Sequence, residues 1–297
     1  MRRLPQIALL PDGKRLHLQD GPIDLIVEAK GSGLEIRAAY EAAARRFTGL
    51  LDELCEELAE LRKAADPHRC GLKGVIARRM HRAVAPFATD CFITPMAAVA
   101  GSVAEEILGA MLNAGQLDRA YVNNGGDIAL HLAEGEQFTA GLMDRPDSQG
   151  LMRTMVIAAG DPIRGIATSG RHGRSYSLGI ADAVTVLAKT AAQADAAATI
   201  IANAVDLPGH PVIVRLPANE LQPDSDLGAR LVTRHVGALS ESEIEIALEA
   251  GADCARRLLA AGLVEGAALR LEGAALVVGA GRAPSQPLHE RQLELQA

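Results

Sequence analysis

Aromatic residues are nearly missing from this chain: three Tyr, four Phe and no Trp stand among 297 residues. The core must therefore be built from Ala, Val, Ile and Leu. A nucleic-acid reader that stacks bases on aromatic side chains is disfavoured. Excess positive charge is missing too. The formal net charge is -7 at pH 7, which argues against a phosphate-backbone binder. A small phosphorylated ligand is not excluded, since it needs only local donors. Paired cysteines are absent. Cys55, Cys70, Cys91 and Cys254 form no CxxC, so neither a zinc ribbon nor a redox dithiol is expected, and the four read as free thiols. His68 and Cys70 in DPHRCG have the chemistry of a metal pair, but a turn with a solvated His accounts for them as well. A long apolar run at the N-terminus is also lacking. The basic start MRRLPQIALLPDGK is broken by Pro11, Asp12 and Gly13. The expectation is no signal peptide, lipid anchor or membrane span, and a cytoplasmic protein. GxGxxG and GxxxxGK[ST] do not occur, so the common dinucleotide and P-loop fingerprints are missing.

What is present reads as an ordinary globular composition, 48% hydrophobic and 23% charged, in a chain long enough to bury a substantial core. QIALL and KRLHL flank PDG, a hairpin signal. DLIVEA continues as a strand. From Leu34 the apolar residues Ile36, Tyr40, Ala43, Phe47, Leu50, Leu54, Leu58 and Leu61 recur every three or four positions. That spacing predicts one long amphipathic helix to about Ala65, whose stripe serves the core or a dimer contact. GVIARRMHRAVAPF predicts a short helix whose Arg78, Arg79, His81 and Arg82 form a solvated face or meet phosphates. TPMAAVAGSVAEEILGAML predicts a helix opened by Thr94 and Pro95 and lined with small residues.

A strand-rich middle follows: AYVN, DIALHL, FTAGLM, RTMVIAA and GIATS, separated by turns such as AEGEQ and by the segment DRPDSQG. DAVTVLA is another strand. TAAQADAAATIIANAV is a helix with a capping-box pattern at Thr190 and Gln193, and SESEIEIALEAGADCARRLLAAG is a helix with a second one at Ser240 and Glu243. DLPGHPVIVRLPANELQPDSDLG holds one strand, PVIVRL, in a loop. AALRLE and AALVVGA close the fold. Strands cluster instead of alternating with helices, which favours α+β over a doubly wound α/β architecture. A single domain over residues 1–282 and a flexible tail over 283–297 are expected.

Three clusters can carry chemistry. In YVNNGGDIAL, Asn-Gly is a hairpin signal. The two glycines also let backbone amides approach a ligand, and Asp127 offers a hydrogen-bond acceptor. In GIATSGRHGRSYS, the hydroxyls of Thr168 and Ser169, the amide of Gly170 and Arg171 or Arg174 suit a phosphate; a flexible polar loop has the same composition. His172 is placed there as a candidate base. In AQADAAATIIAN, Asp195, Thr199 and Asn203 recur every four residues and share a helix face. A carboxylate plus a hydroxyl is hard-oxygen ligation, suited to Mg²⁺ and not to zinc. The plain alternative is a first-turn Asp favoured by its own helix dipole.

The ordered series AVAGSVAEEIL, YVNNGGDIAL, GIATSGR, DAVTV and AQADAAATIIANAV, spanning roughly residues 95 to 206, resembles the ApbE-like superfamily. Its best-known members are Mg²⁺-dependent FAD:protein FMN transferases. The resemblance implies a T-fold-related antiparallel sheet with packed helices. It implies FAD or FMN held near Asn124, Gly125, Gly126, Asp127, Thr168, Ser169 and Gly170. It implies Mg²⁺ on Asp195 and Thr199, completed by a backbone carbonyl near Ala98, and a protein acceptor. The transferases carry a His, a Pro and a Thr-Gly where this chain has SYSLGIADAVTV, and a Lys that AVAGSVAE lacks. The catalytic candidates left are Asp182 and His172. The sequence therefore resembles a divergent branch of that superfamily, with a flavin-binding module or another small-molecule enzyme on the same scaffold as the competing readings.

Overall fold

A computed structural model describes residues 4–143 and 151–279. The DRPDSQG segment and the tail lie outside the described residues. Three strands open the chain: β1 (Gln6–Leu9), β2 (Leu16–Asp20) and β3 (Ile23–Gly31). Five helices follow: α1 (Gly33–Phe47), α2 (Leu50–Glu56), α3 (Leu58–Leu61), α4 (Val75–Val84) and α5 (Val99–Leu112). Then come β4 (Leu117–Asn124), β5 (Asp127–Leu132), β6 (Gln137–Met143), β7 (Leu151–Ala158), β8 (Gly165–Ser169) and β9 (Ala183–Ala188). α6 (Ala191–Ala204), β10 (Ile213–Pro217), α7 (Ala218–Leu221), β11 (Leu231–Val236), α8 (Glu241–Ala260), β12 (Gly266–Leu271) and β13 (Ala274–Val278) complete it.

Nine strands form one sheet in the order β1-β2-β3-β4-β5-β8-β9-β12-β13, and each neighbouring pair is antiparallel. The chain thus runs across the sheet as a meander, interrupted by helical and hairpin excursions. This is the α+β architecture that the strand clustering implied.

The period-2 pattern decides the layers. Leu16, Leu18, Ile23, Leu25 and Val27 point to one face and join the main core. There α5 and α6 lie side by side across β4, β5, β8 and β9. Tyr121, Leu130, Leu132 and Ile166 point to the other face. They form a smaller core with Ile157 of β7 and Ile163. The hairpin β6–β7 pairs only with itself among the described residues and packs against that face. Tyr121 and Phe138 meet edge to face at 6.1 Å between centroids, a favoured aromatic geometry.

Small residues on α5 permit its contact with α6. A Cβ built on Gly101 stands 2.3 Å from the carbonyl oxygen of Ala191, so the two backbones touch. Glu105 of α5 also accepts the amide of Ala192 at 2.7 Å, which caps the start of α6. Pro95–Leu112 is apolar and long enough to cross a membrane by composition alone. Half of it is buried within the fold, as a core helix should be.

The structure corrects several expectations. The single helix over 34–65 is three helices. Thr48 leaves the helical region with ψ 117 and Gly49 is left-handed at φ 83, so α1 ends as glycine-stopped helices do. The apolar stripe survives the break: Ala43, Phe47, Leu50, Leu54 and Leu61 all enter the core. LVTRHV, left unassigned by the sequence, is β11 and forms a separate hairpin with β10. The basic face of α4 is not wholly solvated. Arg79 pairs with Glu105 at 3.2 Å and Glu106 at 2.9 Å, and Arg46 joins Glu106 at 2.7 Å. DPHRCG is a turn in which Asp66 accepts the amides of His68 and Arg69.

The second predicted capping box is complete: Ser240 accepts the Glu243 amide and Glu243 accepts the Ser240 amide at 2.7 Å. Ser240→Ala should lower stability by about 1 kcal/mol in thermal or urea unfolding. An unchanged transition would show that α8 is held by packing alone.

Candidate functional site

The site is assembled at one end of the middle strands. Asn124 and Asp127 are paired across β4 and β5, leaving Gly125 and Gly126 as a two-residue turn. Their φ values are 64 and 111, the left-handed region that glycine enters without cost. Asn123 accepts the Gly126 amide at 2.8 Å. Asn124 is buried and donates its side-chain amide to the carbonyl of Ala100 at 3.2 Å. That bond ties the turn to the start of α5.

Asp127 opens β5, and its carboxylate accepts the Thr168 amide at 3.2 Å. The GGD turn and the ATSG strand are therefore neighbours, with Ile128 opposite Ile166. Thr168 shares its hydroxyl with that of Thr185 at 2.9 Å. Ser169 ends β8 opposite Val184, and Gly170 follows it.

Asp195 reaches the same place from α6. Its carboxylate accepts the Gly101 amide at 3.0 Å. Asp195 is the fifth residue of α6, beyond its own first turn. The dipole it meets is that of α5, whose N-cap is Ala98 with no side-chain acceptor. Asp195 supplies that acceptor from the neighbouring helix.

Asp127 and Asp195 are both half-buried. Protein crowds each carboxylate enough to make ionisation costly, while part of each residue stays open to solvent. Burial pushes Asp127 up to about 7, against the pull of the Thr168 amide. Burial lifts Asp195 well above the carboxylate range, and the charge of Asp127 lifts it further; the amides of Gly101 and Ala100 oppose this. No Lys or Arg contributes to either shift. Two carboxylates thus converge, and among the described residues neither has a Lys or Arg partner. One turn beyond Asp195, the Thr199 hydroxyl has no hydrogen bond among the described residues.

The third member of the helical stripe does something else. Asn203 accepts the amide of Leu178 at 3.0 Å and lies 3.5 Å from the Ser177 hydroxyl, so it anchors the SYSLG loop. His172 and Asp182 do come together, at 3.2 Å. Asp182 is crowded, however. It also holds Arg171 through bonds of 2.8 and 2.6 Å and the Glu272 amide at 2.6 Å, while Arg171 pairs with Glu272. This second cluster fastens the loop after β8 to the β12–β13 turn.

The sequence pattern nominated Asp195 and Thr199 as one set and Asp127 as another. The structure brings Asp127 and Asp195 close enough to repel. No spacing rule reveals that, because the two lie on different elements. Among the described residues, no three His, Cys, Asp or Glu side chains gather as a metal centre. The donors available are the carboxylates of Asp127 and Asp195 and the hydroxyl of Thr199.

A family model described as "AbpE bacteria" matches residues 7–277. Among curated proteins, the UPF0280 protein of Methanothermobacter thermautotrophicus is 38% identical over 135 residues, 45% of this chain and 50% of that protein. The UPF0280 protein of Methanococcoides burtonii is 39% identical over 127 residues, 40% of this chain and 48% of that protein. The chain spans about half the length of the curated relatives it matches. Among solved structures, the apo flavinyl transferase ApbE of Pseudomonas stutzeri aligns over 93% of this chain and 95% of that one, with 11% identity and a TM-score of 0.46.

Proposed function

Because the chain belongs to the family described as AbpE bacteria, we propose that it binds a flavin nucleotide, FAD or FMN, with Mg²⁺ where α5, α6 and the β4–β5 turn meet. The observation that carries the cation is the pair Asp127 and Asp195, held by the Thr168 and Gly101 amides, each raised by burial, and with no Lys or Arg partner among the described residues. The flavin rests on the ordered motifs from AVAGSVAEEIL to AQADAAATIIANAV. In this reading Asp195 and Thr199 hold the metal, and Asp127 adds a second carboxylate beside it. Mg²⁺ keeps several waters and binds few protein oxygens, so this short donor set suits it. When bound, the ion would polarise a phosphoryl oxygen of the ligand and offset charge developing there. The chain's own part is positional. Gly101 and Ala100 aim Asp195, Asn124 fixes the glycine turn to α5, and the backbone at Gly125 and Gly126 leaves room for a nucleotide, whereas Gly170 packs against the Asp182 carbonyl, 2.5 Å from a Cβ built there. A single domain, a cytoplasmic location and a protein acceptor belong to the same proposal.

A second reading has an observation of its own. Both catalytic candidates are engaged: Asp182 by Arg171, His172 and the Glu272 amide. That favours a module that holds the flavin without transferring it. Titration of the protein with FAD and FMN, with and without Mg²⁺, tests binding; Mg²⁺-dependent affinity is expected. Lack of affinity for both nucleotides in the presence of Mg²⁺ would overturn the proposal. AMP release from FAD with candidate acceptors present separates the transferase from the module.

A further inference from the structure

Two arginines stand in GIATSGRHGRSYS, and either has the chemistry to grip a phosphate. The structure separates them. Arg171 is spent: Asp182 and Glu272 together take its guanidinium. Arg174 has no carboxylate partner among the described residues. Its guanidinium lies 3.5 Å from the Pro22 carbonyl, the outer limit of a hydrogen bond. Yet Arg174, an exposed residue, folds back over the glycine turn. A Cβ built on Gly125 would lie 3.6 Å from its Nη1 and 3.7 Å from its Cζ. The guanidinium therefore hangs over bare backbone, two residues along the chain from Asp127.

The geometry points to Arg174 as the residue that takes a phosphate group of the ligand, across the Gly125–Gly126 turn from the Asp127–Asp195 pair. This rests on the reading of that pair as a cation site for a phosphorylated ligand. A guanidinium offers a planar fork of donors that fits two phosphate oxygens at once. With a divalent cation on one side and Arg174 on the other, a phosphate anion is held between two positive charges. A flavin without phosphate gains nothing from Arg174. Gly125 matters for the same reason, since a side chain there would fill the gap under the guanidinium.

The test titrates the full chain and three variants, in the presence of Mg²⁺, with FAD, riboflavin and inorganic pyrophosphate. Arg174→Ala should weaken FAD and pyrophosphate by about tenfold to a hundredfold, the worth of a charge-assisted contact. It should leave riboflavin unchanged and the melting temperature within about a degree, as exposed substitutions do. Arg174→Lys should recover part of the affinity, because it restores the charge without the fork. Arg171→Ala should instead lower the melting temperature by freeing Asp182 and Glu272. FAD and pyrophosphate binding to Arg174→Ala as tightly as to the parent would overturn the assignment, as would a phosphate-selective loss in Arg171→Ala alone. If the parent binds pyrophosphate but not FAD, the flavin reading falls and Arg174 is judged on pyrophosphate. If the parent binds neither, both fall.

Discussion

At pH 8, metal-free Asp195→Asn is expected to melt above the parent and to have lost its Mg²⁺-dependent affinity for FAD. The asparagine oxygen can still accept the Gly101 amide, now 3.0 Å from the carboxylate, so the cap on α5 survives. What disappears is a carboxyl whose ionisation burial and Asp127 both disfavour. At pH 8 the parent must either hold that carboxyl ionised or keep it protonated far above its ordinary 3.8, and the asparagine amide escapes either cost, a gain on the order of 1 kcal/mol. Losing a carboxylate ligand should cost the cation at least about a hundredfold, more than a second-shell change does. Alanine is the wrong variant here, because it deletes charge and cap together.

The pH dependence has the same origin and a definite sign. Asp127 titrates at about 7 in the folded chain, against an ordinary value of 3.8. Between those values the folded state binds more protons than the unfolded one. Stability is therefore greatest at low pH within that window and falls as pH rises through about 7. Saturating Mg²⁺ should flatten the fall by binding the ionised pair. A melting temperature that drops in Asp195→Asn, with Mg²⁺ dependence intact, would make Asp195 a structural cap and place the cation elsewhere.

Gly101→Ala should be among the most destabilising single substitutions in the chain, costing about 3 kcal/mol or more. Helix propensity alone says the reverse, since replacing a helical glycine by alanine gains about 0.5–1 kcal/mol. The reason is contact. The added methyl would sit 2.3 Å from the Ala191 oxygen, 2.5 Å from its carbon and 2.8 Å from the Ala192 nitrogen. Those are backbone atoms at the start of α6, and they cannot rotate away. The helix must move, which strains the Glu105 bond to Ala192 and shifts Asp195 from the Gly101 amide. Gly109, two turns along the same helix, has nothing within 4 Å of its built Cβ. Gly109→Ala should follow propensity and stabilise slightly. Equal small gains at both positions in urea unfolding would disprove the close approach.

Local chemistry made much of the fold legible. Period-2 runs such as DLIVEA and DAVTV became sheet strands because alternation is a property of the strand itself. The Ser240–Glu243 box closed because both partners lie within one turn. Thr48-Gly49 was a readable stop that the unbroken apolar stripe outweighed. LVTRHV escaped because its partner, β10, is separated by a polar loop and the pair stands outside the main sheet.

For the site, the sequence by itself determined which residue types were available and two of their neighbourhoods. Asn124 to Asp127 had to be a turn, since two adjacent glycines permit left-handed backbone. Asp195 and Thr199 had to share a helix face, since four residues make about one turn. Only the tertiary structure decided that Asp127 and Asp195 oppose each other, that Asp195 caps α5 and not its own helix, that Asn203 anchors a loop, and that Arg174 and not Arg171 is left for an anion. Each of those depends on which elements the antiparallel meander sets side by side. Charge repulsion, capping and pairing act through space over a few ångströms, whereas the partners lie tens of residues apart along the chain.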